Sequence, residues 1–431
     1  MLAVLRNSWA LMLGILLLML SNGLQGTLLG VRGAIEQIDS NAMGFVMSAY
    51  FVGFLGGSRL APLLLRKVGH VRVFAALGSL ASAAFILYAT IVDPWFWMFL
   101  RLVVGFCFSG IYVVAESWLN DSATNETRGQ ALSMYLIVQM AGIVLGQLLL
   151  NLADPSGYEL FVLITVLVSI SFAPILLSTT PAPMFETSKP MSLRELIDAS
   201  PLACFGMFLL GGVFAVLFAM APVYATKSGF SIAEISFFIT AIYTGGMLFQ
   251  YPIGWFSDRI DRRLLIIFVT AVGTAASVVG FFASNLLLLS GLAFIIGGMT
   301  NPLYSLLIAY LNDYLEHEQM PAAAGGMLFI NGVGAMGGPV AVGFLMDTAG
   351  KNYFFLFIAS LLALICVYGV YRVSQRDTVS SEEVGPYVPI TLRSTPVATE
   401  IATEIAIEVA EEIAEENQRD DSRDDSQEAP H

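Results

Sequence analysis

Twelve long apolar runs, separated by short polar breaks, dominate the chain. They lie at about 8–31, 41–65, 71–92, 95–118, 129–152, 158–178, 201–225, 231–256, 262–283, 286–311, 321–346 and 352–372. A helix rises 1.5 Å per residue, so about twenty apolar residues cross a ~30 Å hydrocarbon layer. Each run meets that length, and the pattern predicts an all-α integral membrane protein of twelve transmembrane helices. The connections are short except at 179–200, which holds Pro181, Pro183 and Pro190. That segment divides a six-helix half at 1–178 from a second at 201–372. Within it, Ser192-x-x-Glu195 reads as a capping box and predicts a short interfacial helix. The first run is longer than a signal-peptide core and lacks a small-residue cleavage site, so it is read as a span.

Composition sharpens this picture. Apolar residues make up 57% and charged residues 12% of the 431, against about 45–50% and about 25% in soluble domains. A water-soluble globule is thereby excluded. The net charge of −13 belongs mainly to one appendage. Residues 373–431 carry 15 acidic and 4 basic side chains, a net of −11, and residues 1–372 carry only −2. No basic footprint for nucleic acid exists. The acidic tail spaces Ile401, Ile405, Val409 and Ile413 by four. Two readings stand: a solvated, disordered tail, or an amphipathic helix that docks on a basic partner or on the body's own loops. Cys107, Cys204 and Cys366 are scattered, and no spacing suggests a metal site or cofactor. The histidines at 70, 317 and 431 fall in predicted loops or the tail, so no buried histidine is expected for proton relay.

Basic residues set the expected orientation. With the N-terminus cytoplasmic, Arg6, Arg66, Lys67, Arg72, Arg128, Lys189, Arg194, Arg259, Arg262, Arg263, Arg372 and Arg376 lie inside. Arg32, Lys227 and Lys351 lie outside. The positive-inside rule places both termini in the cytoplasm of an inner-membrane protein.

Shifting the sequence by 192 residues reveals an internal repeat. Gly53 meets Gly245, Tyr112 meets Tyr304, and Leu119-Asn120-Asp121 meets Leu311-Asn312-Asp313. Gly142 and Gly146 meet Gly334 and Gly338, which Pro339 follows. These glycine pairs suit close helix packing. An even number of spans per half makes the repeats parallel, an arrangement in which transporters place their substrate site between the halves.

The loop after the eighth run reads Gly254-Trp-Phe-Ser-Asp258-Arg259-Ile-Asp261-Arg262-Arg263. It resembles the G-x-x-x-D-R-x-G-R-R signature of the major facilitator superfamily, with Asp261 in place of the second glycine. The matching loop after the second run keeps Arg66 and Lys67 but has Arg66 where the family's aspartate stands. Arg101-Leu-Val-Val-Gly105 is similar to that family's fourth-span motif. Ala-Glu116-Ser-Trp118-Leu, after Tyr112, looks like its YcaD-type branch. The resemblance covers 1–372. It implies a permease that works by alternating access, without cofactor, embedded in the bilayer as a monomer. Asp258 among its arginines then reads as a conformational latch, or simply as a charged loop held inside. Glu116 and Asp121 are the acids that could serve Arg66 in the first half. The family's antiporter proline is absent from the fifth span, where Gln147 stands, so antiport is not inferred.

Arg101 is the sharpest residue. It lies six residues beyond Trp95, about 9 Å into the span. A charge at depth is costly and usually faces a protein interior or a water-filled path. At 100° per residue, Arg101, Gly105, Phe108 and Tyr112 share one face, with Glu116 beside it. Asn22, Gln25, Gln139, Asn301 and Asn331 are further candidates for the substrate pathway, or else interhelical glue. Arg59 reads as a snorkelling residue. Glu116 is the only carboxylate well inside a span, so any proton coupling would run through it. The expected function is secondary active or facilitative transport of a small, anionic solute. Proton-driven efflux of apolar compounds is the alternative, and a transporter-like sensor acting through the tail is a third. No nucleophile–base pair points to an enzyme.

Overall fold

The structure, a computed structural model, describes residues 2–122, 125–176, 191–316, 319–375, 387–390, 395, 397–399 and 401–408. The linker prolines, most of the distal tail and the side chain of Asp121 lie outside the described part. Among the described residues the fold is helical throughout, with no strand.

Helices α1 (Leu2–Ile35), α2 (Ser40–Val68), α3 (His70–Thr90), α4 (Pro94–Ser122) and α5 (Asn125–Leu149) each match one run. The sixth run instead forms α6 (Glu159–Ser171) and a one-turn α7 (Ala173–Leu176). Pro174 explains the break: it has no N–H for the carbonyl four residues back. The capping box forms as read, opening α8 (Leu193–Ala199). The second half holds α9 (Pro201–Lys227), α10 (Ile232–Ser257), α11 (Arg262–Phe282), α12 (Leu286–Asn312), α13 (Met320–Thr348) and α14 (Tyr353–Val373). Eleven helices are long and apolar enough to span a bilayer, and α6 is the shorter twelfth. Helix α9 contains a π-helical turn at Val216–Met220, just before Pro222.

The two halves use the same backbone contacts at the same offset. A Cβ on Gly53 would collide with the carbonyl of Leu102, and one on Gly245 with that of Phe294. Gly105 sits on the carbonyl of Tyr50, and Gly297 on that of Ile242. Gly146 approaches Leu20, and Gly338 approaches Gly212. In each case both partners move by 192. Lipid tails are as apolar as leucine, so helices in a bilayer associate through close packing, and glycine permits the closest.

One face of the bundle carries the exposed Arg66, Lys67 and Arg259 and the buried Arg262 and Arg263; it is called the basic face. At the opposite face the halves are sealed together. Ser236 of α10 donates to the carbonyl of Gln147 in α5 at 2.7 Å. Asp347, near the end of α13, accepts from the Ser40 and Asn41 N–H groups that open α2, at 3.1 and 2.7 Å. It also pairs with Lys227 of α9 at 2.6 Å. Gly44 of α2 lies against Pro339 of α13, and Ser48 donates to the Met336 carbonyl.

Gly53→Val and Gly245→Val are expected to destabilise the protein equally, by about 1–3 kcal/mol each for overpacking. Gly291→Ala, which faces open space, should leave stability unchanged. Thermal unfolding in detergent checks all three; an undiminished melting temperature at position 53 would contradict the packing argument.

Candidate functional site

A cavity lined by residues of both halves lies between them. Helices α1, α2 and α4 supply Asn22, Tyr50 and Arg101, and α9, α10 and α13 supply Phe218, Tyr243 and Asn331. The second-half wall is aromatic: Phe214 stacks on Phe218 at 5.3 Å between centroids, and Phe218 on Tyr243 at 4.7 Å. The first-half wall holds the charge. Arg101 is 4% exposed, and its guanidinium donates to Gln25 Oε1 at 3.1 Å and to Met47 Sδ at 2.8 Å. It also lies 5.6 Å from the Tyr50 ring. Its Nε and the Gln25 Nε2 are buried without a hydrogen-bond partner. The contacts shown are all to neutral groups, so the cation is held at the cavity wall without a carboxylate. Such a charge needs either water or an anion, because desolvation without a counter-charge costs several kcal/mol.

The other predicted pathway residues divide. Asn22 lines the cavity and donates to the Tyr112 hydroxyl at 2.8 Å, placing Tyr112 just behind the wall. Asn331 lines it too, while donating to the Met207 carbonyl at 3.2 Å. Gln139 is buried in α5, away from the lining. Asn301 bridges α12 to α10 through the Gly246 carbonyl and Gln250 Oε1. Glu116 is not in the cavity, although it shares a helical face with Arg101. The angle of projection ignores height: fifteen residues separate the pair, about 22 Å along the axis.

Glu116 instead holds the tail. It is fully buried, and Tyr135 donates to it at 3.1 Å. Its carboxylate accepts from the hydroxyl and N–H of Thr395 and from the N–H of Ala398 at 3.2 Å. Residues 397–399 and 401–408 are helical, so this carboxylate sits at a helix N-terminus, where unpaired N–H groups and the dipole favour an anion. Upstream, Ser305 of α12 donates to the Ile390 carbonyl and accepts from its N–H, at 3.0 and 2.9 Å. Asp258 accepts from the Tyr387 N–H at 2.7 Å, and Gln250 donates to the Tyr387 hydroxyl at 3.0 Å. Ile401 and Ala402 are buried, as the spacing of apolar positions suggested for a docked helix.

The loop motif builds three ion pairs. Arg262 is buried, ties to Asp313 and to the Ala309 carbonyl of α12, and lies 3.8 Å from Asp258. Asp313 is the repeat mate of Asp121. Asp261, where the signature has glycine, accepts from the Arg263 N–H at 2.8 Å, and its other oxygen pairs with the Arg263 guanidinium at 3.0 Å. It thus caps α11. Half-burial pushes the Asp258 carboxyl above the ordinary carboxylate range, against the opposing pull of the Tyr387 N–H, Arg262 and Arg259. Gly254 has its open flank filled by the Tyr387 ring.

The Major Facilitator Superfamily model matches this chain twice, at residues 11–231 and 202–405. The chain belongs to the major facilitator superfamily. The MFS-type transporter YcaD of Escherichia fergusonii, described as uncharacterized, is 28% identical over 356 residues, covering 81% of this chain and 92% of its own. YcaD of Escherichia coli K12 gives the same values. Among solved structures, a variant of the nucleoside transporter NupG aligns with a TM-score of 0.70 at 15% identity, over 85% of this chain and 100% of its own. The E. coli fucose:proton symporter FucP aligns at 0.54 and 15%, over 86% and 99%. These likenesses establish the fold, and the family makes the protein a multi-pass membrane transporter.

Several features of this major facilitator protein differ from the sequence reading. Glu116 serves the tail in place of Arg66. His70 is buried, not a loop residue: the α2–α3 connection is the single Gly69, so His70 opens α3 and its ring bonds Ser117 Oγ at 3.1 Å. Arg59 lies 4.2 Å over the Phe329 ring of α13, a contact between halves and not a simple reach to the interface. Gln147, noted only as a missing proline, accepts from Thr27 at 2.7 Å and donates to the Gly23 carbonyl at 2.8 Å. Its place one residue past the glycine pair was the only available signal.

Arg262→Met removes one partner of the buried Arg262–Asp313 pair, and is expected to cost about 3–5 kcal/mol, as breaking a buried pair does. Arg262→Met with Asp313→Leu should recover most of it. A double-mutant cycle of thermal unfolding measures the coupling; additive losses would show that the two residues do not act as a pair.

Proposed function

We propose that this transporter carries a small organic anion with an apolar or aromatic body, by alternating access of the halves 1–178 and 201–372. The observation that carries this reading is Arg101, a permanently charged guanidinium buried in the cavity wall with only neutral partners. Arg101 supplies the counter-charge, Gln25 orients it, and Asn22 offers a polar group on the same cavity wall. The stacked Phe214, Phe218 and Tyr243 supply a face for the solute's body.

Transport of uncharged apolar compounds is the second reading, favoured by the apolar character of most of the wall. Proton drive in that case would require Glu116 to release the tail before exchanging protons. Asp258 and Arg262, at the meeting of α10, α11 and α12, bias the conformational equilibrium and do not touch solute.

The reading also places the basic face in the cytoplasm, with both termini inside. Lys351→Cys should react with an impermeant maleimide from outside intact cells, and Lys67→Cys only after the inner face is exposed. The reverse pattern would invert the orientation.

Flux into proteoliposomes from a panel of organic anions and their uncharged isosteres, with and without a pH gradient, tests the substrate class. Arg101→Gln should weaken anion binding by about tenfold to a hundredfold, the worth of a charge-assisted hydrogen bond. It should not lower the melting temperature. Arg101→Lys keeps the charge but not the planar fork and should fall between. A destabilised Arg101→Gln protein that keeps normal affinity for anions would refute the binding role.

A further inference from the structure

The mouth on the basic face is a binding site for a peptide, and its occupant is this chain. We infer that the tail, through its described residues 387–390, 395, 397–399 and 401–408, forms a plug that seats between the two halves and holds the transporter in the conformation sealed at the opposite face.

The seat is built from both halves. The first half contributes Glu116, Tyr135 and Arg128, and the second contributes Gln250, Asp258 and Ser305. Three of these six groups recognise main chain. Ser305 makes a reciprocal pair with the Ile390 N–H and carbonyl, Asp258 takes the Tyr387 N–H, and Glu116 takes those of Thr395 and Ala398. Main-chain recognition fixes an extended entry followed by a helix start. Thr395 precedes a proline and accepts from the Val397 N–H, which is how a helix is begun. The helix then runs outward. Thr395, Ala398, Thr399, Ile401, Ala402 and Thr403 are buried, and Glu404 at 42% side-chain exposure meets Arg128 at 2.8 Å near the rim.

Charge complements this fit, because an acidic tail enters a mouth on the face where the basic residues collect. Tethering helps as well. Only thirteen residues separate Val373 from Tyr387, so the tail is presented at an effective concentration in the millimolar range. Mechanically, a helix is about 10 Å across with its side chains. With it in place, Glu116 and Ser305 cannot approach, so the basic-face mouth cannot close and the opposite face cannot open. Withdrawal of the tail is then a precondition of each transport cycle.

The test needs no known solute. In a background with Cys107, Cys204 and Cys366 replaced, Gly129→Cys and Ile405→Cys are combined in the full chain. A Cβ at 129 lies 3.8 Å from Ile405 Cγ2. With a protease site inserted at 376–386, the cleaved tail should stay attached on non-reducing gels. In inside-out vesicles, Ser305→Cys should react with an impermeant maleimide about tenfold faster once the chain is cut short at 376. A synthetic peptide of residues 385–410 should restore protection. In right-side-out vesicles, the cavity-lining variant Ala219→Cys should react about tenfold faster after the same truncation, as the opposite face opens. Full-length Ile401→Asp should reproduce both increases without truncation. Absence of the cross-link, with equal rates at position 305, would overturn the docking. Docking with equal rates at position 219 would overturn the lock.

Discussion

Backbone-to-backbone contact between helices is the constraint on which this structure rests. Within a bilayer no hydrophobic gain is left for bringing two apolar helices together, so dispersion at close range must serve. Glycine at positions 53, 105 and 146, and again at 245, 297 and 338, brings one helix onto another's carbonyls. Each half thereby becomes a rigid block, since a Cβ at any of these positions would force its neighbour away. Rigid halves are what allow a cavity to exist between them without the bundle collapsing into it.

Polar groups follow the same logic of scarcity. Among the described residues, many interior amides find partners on neighbouring helices, Asn301 on α10 and Gln147 on α1, and hydroxyls such as that of Thr270 bond their own preceding turn. Several other buried polar atoms also lack a partner, and what distinguishes Arg101 among the described residues is that it lines the cavity as well. Arg101 lines the cavity between the halves, and Gln25 bonds to it from α1. Function is thus read from an incompleteness, and the neighbouring aromatic wall gives it a shape.

Much of this was legible in the chain. Apolar run length marks the helices, and the shift of 192 pairs Gly53 with Gly245 and Gly146 with Gly338, although the matching contact of Gly105 and Gly297 was not read from it. The spacing of Ser192 and Glu195 gave the cap of α8, and the isoleucine spacing in the tail gave one face of a helix. What escaped had physical causes. Angular projection along α4 put Glu116 beside Arg101 because it discards axial height. His70 looked like a loop residue because the loop is a single glycine. Pro174 lay inside an apolar run whose length alone concealed the break in the sixth helix. The tail's seat depends on contacts nearly three hundred residues apart in sequence, which no local pattern carries.

The contact between halves at the opposite face and the seat of the tail at the basic face use one device. Asp347 sits on the N-terminus of α2, and Glu116 on that of the tail helix. A carboxylate against helix N–H groups contributes about 0.3–2 kcal/mol, and both parties can exchange each other for water when they part. Separating them exposes hydrated ends and leaves no torn apolar surface. Neither seal is therefore a deep well, and the energy difference between the sealed states stays within the few kcal/mol that thermal fluctuation and a bound solute can span.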